Sequence, residues 1–243
     1  MLTVTVGGRE VPVLGPKAQE AIQSSLFKRW IATLDPSFVV HWIDIHYVDT
    51  VGFPEKPHTL FIKLKAQVET TSGNQVPGIV FLRGGSVGIL LVIECEGEEY
   101  TLLTLQSRFP AGHSAFPEIP AGMLDGSGQF SGVAARELEE ETGLIISRNS
   151  LIDLTELAYG SRFQGIVPSA GGSDEFVRLF ACFLKMTRSS LEALQGKITG
   201  VISEGETIAL KVIPLRDLVW STPDVKALSA LTLYDALKRD GRL

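Results

Sequence analysis

Between Gly122 and Leu144 the chain reads GMLDGSGQFSGVAARELEEETGL, and four glutamates, Glu137, Glu139, Glu140 and Glu141, follow directly behind Arg136. At about 100° per residue, a helix over this run sets Glu137, Glu140 and Glu141 on one face and Ala134, Leu138 and Thr142 on the neighbouring face. Like charges at this spacing cost an exposed helix only roughly a few tenths of a kcal/mol per pair. Burial raises that cost steeply unless a cation compensates. A divalent metal is the most compact compensation, and oxygen ligands with no nearby His or Cys favour Mg²⁺ or Mn²⁺ over zinc. The other reading of a glutamate run is a solvated helix face, and Glu139, on the far side, is assigned to solvent.

Composition sets the outer bounds. A chain of 243 residues, 44% hydrophobic and 21% charged, is long enough for one large domain, or one with an accessory piece, around a sizeable core. A net charge of −6 without a basic stripe argues against nucleic-acid binding. Cys95 and Cys182 each lie in an apolar, strand-like run without C-x-x-C spacing, so they are expected as buried, reduced core residues rather than a disulfide or zinc site. Apolar runs such as Val87 to Ile93 are too short to span a bilayer, and the start MLTVTVGGREV carries neither a signal-peptide nor a transit-peptide pattern. A cytoplasmic protein, or the mature form of an organelle protein, without a membrane partner is expected.

Along the chain, the pattern predicts a β-rich accessory section over residues 1–75 and a second domain over residues 76–243. In the first, LTVTV and EVPVL around Gly7-Gly8 read as a hairpin. Pro16, Ala18, Ile22, Leu26, Trp30 and Leu34 read as one amphipathic helix. Phe38 to Val48 and Leu60 to Val68 read as two long strands around a Pro/Gly-containing loop at Val51 to Pro57. So thin a layer has difficulty burying both faces alone, which predicts a two-fold homodimer built on this section. In the second, strands are expected at Val87 to Cys95, Tyr100 to Gln106, Leu151 to Leu157, Phe176 to Met186 and Ile208 to Ile213. The glutamate helix is expected to be capped by Ser131 and stopped by Gly143, and a final helix to cover Asp224 to Lys238.

The glutamate stretch resembles the signature box of the Nudix hydrolase family: G, five residues, E, seven residues, R-E-hydrophobic-x-E-E-x-G-hydrophobic. Gly122, Arg136, Glu137, Leu138, Glu140, Glu141, Gly143 and Leu144 stand at the matching positions. The early glutamate is replaced by Gly128, with Asp125 the closest acid. Three more stretches resemble the subfamily that cleaves ADP-ribose and nucleotide sugars: Gln106-Ser107-Arg108-Phe109-Pro110, Glu118-Ile119-Pro120-Ala121-Gly122-Met123, and Pro168-Ser169-Ala170-Gly171-Gly172-Ser173-Asp174-Glu175. SSLFKRW at 24–30, VPGIVFLRG at 76–84 and LQGKITG at 194–200 extend the likeness towards the plant-type ADP-sugar diphosphatases.

The resemblance implies an α/β fold, a mixed sheet in an α/β/α sandwich behind the small accessory domain. It implies Mg²⁺-dependent (or Mn²⁺-dependent) hydrolysis of the pyrophosphate bond of a nucleoside diphosphate sugar. Glu137 and Glu141, one turn apart, are the expected metal ligands, joined by the Ala121 carbonyl. Glu140 either ligates metal or poises a water. Arg136 pairs with a box carboxylate, an orienting role. Arg108 contacts substrate phosphate, or else is a surface salt-bridge partner. Glu118 hydrogen-bonds a ribose or base, or else a backbone amide. Glu175, behind Gly171-Gly172, matches the subfamily's loop acid that activates water. Asp174 is its alternative, and an ordinary turn is the third reading. The four histidines, His41, His46, His58 and His113, make no metal pair by position. Gly126-Ser127-Gly128 and Gly84-Gly85 read as turns. With Gly128 in place of a carboxylate, the competing functional reading is a weakly active or inactive nucleotide-sugar binding protein. Neutralising Glu137 or Glu141 is expected to hold or raise stability without metal.

Overall fold

Gly7 and Gly8 sit at φ 54° and 79°, as a two-residue type I′ turn requires. Strand β1 (Leu2–Val6) accordingly folds back on β2 (Arg9–Leu14) with Val6 opposite Arg9. The computed structural model describes residues 1–52, 58–124, 129–201 and 207–243. Most of the Val51 to Pro57 loop, and Asp125, Gly126, Ser127 and Gly128, lie outside the described residues.

The single helix expected after Pro16 is two, α1 (Ala18–Gln23) and α2 (Ser25–Thr33). Ser24 leaves helical geometry between them, and its Oγ accepts from the Phe27 amide at 3.1 Å, a serine N-cap. Apolar spacing survives the break: Ala18, Ala21, Leu26 and Phe27 are buried, with Ile22, Trp30 and Leu34 packed beside them. They cover a sheet in which β3 (Phe38–Val51) pairs antiparallel with β4 (His58–Thr70) and parallel with β2. Strands β5 (Gln75–Val76) and β6 (Ile79–Leu82) also pair with β4. Met1–Gly85 and the distant loop Ser169–Glu175 form one compact unit.

Ser86–Pro168 and Phe176–Leu243 form the other unit. Its central strand β7 (Gly85–Cys95), GSVGILLVIEC, is buried on both faces, which is why it reads as a continuous apolar run. Val87, Ile89, Leu91 and Ile93 face a core shared with Val133, Ala134 and Leu138 of α3 (Phe130–Thr142). Leu90 and Val92 face the opposite core, with Leu154 of α4 (Leu154–Tyr159) and Ala227, Ala230, Tyr234 and Leu237 of α7 (Val225–Arg239). The sheet between these layers runs β11 (Leu151–Asp153), β12 (Phe176–Lys185), β7, β8 (Glu98–Arg108), β14 (Ile208–Pro214), β13 (Ile198–Thr199). Strand β9 (His113–Glu118) hangs on β8 and β10 (Ala121–Met123) on β7. The short helices α5 (Arg188–Glu192) and α6 (Leu218–Ser221) complete the unit. The expected mixed α/β architecture is therefore present. Cys95 and Cys182 are buried free thiols, and burial pushes the Cys182 thiol up to about 11. Among the described residues no helix is long and apolar enough to cross a membrane.

Two further expected elements differ. Leu151 to Leu157 is a three-residue strand followed by α4, because Asp153 caps the helix by accepting from the Glu156 amide at 2.8 Å. Helix α3 starts at Phe130 with Gln129 at the N-cap position, so Ser131 lies inside the first turn and does not cap it.

Candidate active site

The glutamate helix is fixed at its C-terminal end by the stretch Lys197 to Gly200. A helix leaves its last four carbonyls without helical partners, and here each finds one. Gly143, at φ 72°, donates its amide to the Glu139 carbonyl at 2.8 Å, and the Gly200 amide donates to that of Glu140 at 3.3 Å. Thr199 Oγ1 donates to the Glu141 carbonyl and Lys197 Nζ to that of Thr142 at 3.4 Å. An ammonium there also suits the negative end of the helix dipole.

Anchored in this way, α3 lies beside β10. Glu141 is buried at 4% exposure. Its Oε1 accepts from Gln106 Nε2 at 2.6 Å and its Oε2 from the Ala121 amide at 3.0 Å. Gln106, also buried, donates further to Thr104 Oγ1 at 3.3 Å. Glu137, one turn earlier and half-buried, packs against the Gly122 backbone so closely that a Cβ on Gly122 would lie 1.9 Å from the Glu137 carboxyl carbon. Arg136 Nη2 stands 3.9 Å from Glu137 Oε1. Glu139 and Glu140 are exposed. The structure thus brings Ala121, Gly122, Glu137 and Glu141 together and leaves Glu140 on the solvent side of the same helix.

Among the described residues no three acidic, His or Cys side chains form a ready metal cage. The donor set nevertheless fits a hard divalent cation. Glu137 and Glu141 are oxygen donors one turn apart, Glu141 is held by neutral donors, and the pairing of Ala121 with Gly88 sets the β10 backbone against β7 beside them.

Arg108 and Glu118 are brought together as a bidentate pair, Nε to Oε1 at 2.5 Å and Nη2 to Oε2 at 3.2 Å. Glu118 is buried and Arg108 is the exposed partner. Lys226 and Asp224 complete the group. Lys226 Nζ lies 2.8 Å from Glu118 Oε2 and 2.9 Å from Asp224 Oδ1, and Asp224 caps α7 by accepting from the Lys226 and Ala227 amides. Burial works to raise the Glu118 carboxyl, but the Arg108 hydrogen bonds and the Lys226 charge outweigh it and hold it below the usual carboxylate value. Burial likewise works to lower Lys226, and Asp224 and Glu118 together hold it above its ordinary value.

Glu175 and Asp174 belong to the other unit. Asp174 Oδ1 accepts from the Arg83 and Gly84 amides at 2.8 and 3.1 Å, the Gly172 carbonyl accepts from the Phe81 amide at 2.8 Å, and Glu175 Oε1 lies 3.4 Å from Arg83 Nη1. Gly171-Gly172 is thus part of a loop tied to the end of β6.

Residues 82–234 match the NUDIX domain. The chain is 38% identical over 233 residues to "Nudix hydrolase 14, chloroplastic" of Arabidopsis thaliana, covering 92% of this chain and 74% of that protein. It is 32% identical over 151 residues to "Peroxisomal coenzyme A diphosphatase 1, peroxisomal" of Saccharomyces cerevisiae, covering 57% of this chain and 43% of that one. Among solved structures, an "ADP compounds hydrolase" aligns with a TM-score of 0.50 at 18% identity, over 82% of this chain and 96% of its own, a likeness of fold. The anchored glutamate helix, its glycine seat on β10 and the strand that holds Gln106 all fall inside the matched region, and the chain belongs to the Nudix hydrolase family.

Proposed function

We propose that this protein hydrolyses the pyrophosphate bond of a nucleoside diphosphate sugar of the ADP-ribose or ADP-glucose type, with Mg²⁺ or Mn²⁺, giving nucleoside monophosphate and a sugar phosphate. The observation that carries the reading is the seating of Glu137 and Glu141 against Gly122 and the Ala121 amide. It holds two hard ligands in place before substrate arrives. Glu137, Glu141 and the Ala121 carbonyl would hold a divalent cation, which would shield the diphosphate charge and make a bound water more acidic, while Glu140, on the solvent side of the helix, would poise a water. Gln106 orients Glu141 by donating to it. Arg136 fixes the direction of Glu137, and Arg108, held by Glu118, offers its guanidinium to a substrate phosphate. The assignment of Glu175 to the proton of the attacking water rests on the sequence resemblance.

The match to an ADP compounds hydrolase fold supports the nucleotide class. We further read the first unit as the dimerisation element of a homodimer, supported by the exposure of Tyr47 and Ile79 on its sheet. A monomer mass by light scattering at micromolar protein would overturn that assembly. The second reading, a nucleotide-sugar binding protein with little turnover, is favoured by one observation, Gly128 where the family's box has a glutamate.

The deciding experiment incubates the protein with ADP-ribose, ADP-glucose, UDP-glucose and coenzyme A in Mg²⁺ and scores released nucleotide. Nucleoside monophosphate from the sugars supports hydrolysis. Tight binding without release supports the second reading, and cleavage of coenzyme A alone overturns the substrate class.

A further inference from the structure

Four charges of alternating sign, Arg108, Glu118, Lys226 and Asp224, stand in a connected row within the second unit. Their side chains are 41%, 4%, 17% and 3% exposed in that order, so the row opens to solvent at Arg108. A buried carboxylate with one cation holds that cation back, because turning it towards another anion strands the carboxylate at a cost of several kcal/mol by general experience. Among the described residues Glu118 has two cations, Arg108 and Lys226, the latter 2.8 Å from Oε2. Taken by themselves, these four charges sum to zero. Gly88 of β7 faces the Lys226 stem, and a Cβ there would lie 3.7 Å from Lys226 Cβ and 3.2 Å from Leu179 Cδ2.

We propose that Lys226 is a positioning residue for substrate phosphate, acting through Glu118 to keep Arg108 both oriented and available. This rests on the reading of Arg108 as the phosphate contact of a nucleoside diphosphate hydrolase. Without Lys226, the remaining Arg108, Glu118 and Asp224 sum to one negative charge, and among the described residues Arg108 is the counter-charge left to Glu118. Affinity for the anionic substrate should then fall, while the chemistry at the Glu137–Glu141 site proceeds as before.

The test is a double-mutant cycle of Lys226→Gln and Arg108→Ala in the full-length protein, with Lys226→Arg as the conservative variant. For ADP-ribose turnover, Lys226→Gln should raise KM about tenfold and leave kcat within about twofold, Lys226→Arg should restore KM, and the double variant should be no worse than Arg108→Ala alone. A merely structural lysine would add its effect to that of Arg108→Ala and would not spare kcat. If Lys226→Gln does not fold, Lys226→Met, which keeps the stem against Gly88, takes its place. Should the wild type turn over no nucleotide sugar, the proposed reaction fails. The same cycle is then read as ADP affinity by calorimetry without metal, where non-additive weakening still supports the positioning role. An unchanged KM (or ADP affinity) in Lys226→Gln, additive effects, or no effect of Arg108→Ala overturns it.

Discussion

Gly122 and Glu137 occupy each other's space: the glycine has no Cβ, and the place where one would stand is 1.9 Å from the Glu137 carboxyl carbon and 2.3 Å from its Cγ. The box glycine is therefore required for a steric reason belonging to the site rather than for its backbone freedom. Any side chain at 122 pushes the Glu137 carboxylate, the proposed metal ligand, off its position.

Gly122→Ala is expected to lower turnover about a hundredfold, the scale on which small misplacements of reacting groups act. Stability should fall by only roughly 1–3 kcal/mol, since the half-buried Glu137 is able to swing outward. The control is Gly132→Ala on the same helix, where the nearest atom to a new Cβ is 3.6 Å away. It should keep activity and gain roughly 0.5–1 kcal/mol from helix propensity. Equal losses of activity in the two variants would remove the steric account.

Glu137 and Glu141, equivalent in the sequence, should respond differently to neutralisation. Both Glu137→Gln and Glu141→Gln should lose turnover by orders of magnitude. Glu141 accepts on both oxygens, from Gln106 Nε2 and from a backbone amide that cannot reverse. A glutamine at 141 sets its own NH₂ against one of those donors, and Gln106 is able to flip only by giving up Thr104. Urea unfolding in a chelator should place Glu141→Gln about 1–3 kcal/mol below wild type, the cost of a buried polar mismatch. Glu137→Gln should equal or exceed wild type. A Glu141→Gln midpoint at or above wild type would show the pocket to be less rigid than its hydrogen bonds indicate.

How much of this was legible follows from where each signal lay. The glutamate helix and its stop at Gly143 are local patterns, and they stand where spacing set them. So is β7, whose burial on both faces leaves a bare apolar run. The break at Ser24 and the helix after Asp153 were also local, since Ser24-Ser25 offers a cap and Asp153 with Glu156 three residues on is a capping box. There the apolar period masked the polar punctuation. Lys226 differs in kind. It meets a carboxylate 108 positions earlier in the chain, and no local pattern in one sequence links the two. The stretch Lys197 to Gly200 was legible as a likeness to related chains, but its service to the end of α3 needed coordinates.

The Arg108–Glu118–Lys226–Asp224 row should mark the pH dependence of stability. Glu118 is held below its ordinary carboxyl value of 4.5 and Lys226 above its ordinary 10.5. For a depressed carboxyl, the stabilisation is complete above the unfolded value and is lost as pH falls through the folded one. For a raised lysine it is complete below the unfolded value and lost as pH rises through the folded one. The contribution of the Glu118–Lys226 pair is therefore complete between about 4.5 and 10.5. Urea midpoints of wild type and Glu118→Gln should differ by a constant amount from pH 6 to 9, and the wild type should lose ground to the variant below about pH 4.5. A difference that already changes between pH 6 and 8 would mean that Glu118 titrates in a different environment.

Asp174 should govern the order of the loop that ends in Glu175. One carboxylate oxygen receives the Arg83 and Gly84 amides, and beside it the Phe81 amide reaches the Gly172 carbonyl while Arg83 pairs with Glu175. Charge-assisted acceptance of two amides is stronger than a neutral contact. Asp174→Ala leaves both donors seeking water, whereas Asp174→Asn retains a weaker acceptor. Amide exchange at Arg83 and Gly84 should accelerate about tenfold or more in Asp174→Ala, and by less in Asp174→Asn, while the amides of Leu90 and Leu91 in β7 stay protected. If Glu175 performs the proton transfer assigned to it, kcat should fall along the same series, Asp174→Ala below Asp174→Asn below wild type, with Glu175→Gln lowest. Faster exchange with an unchanged kcat would keep the clamp and detach it from catalysis. Unchanged exchange in Asp174→Ala would show that Phe81 and Arg83 hold the loop without the aspartate.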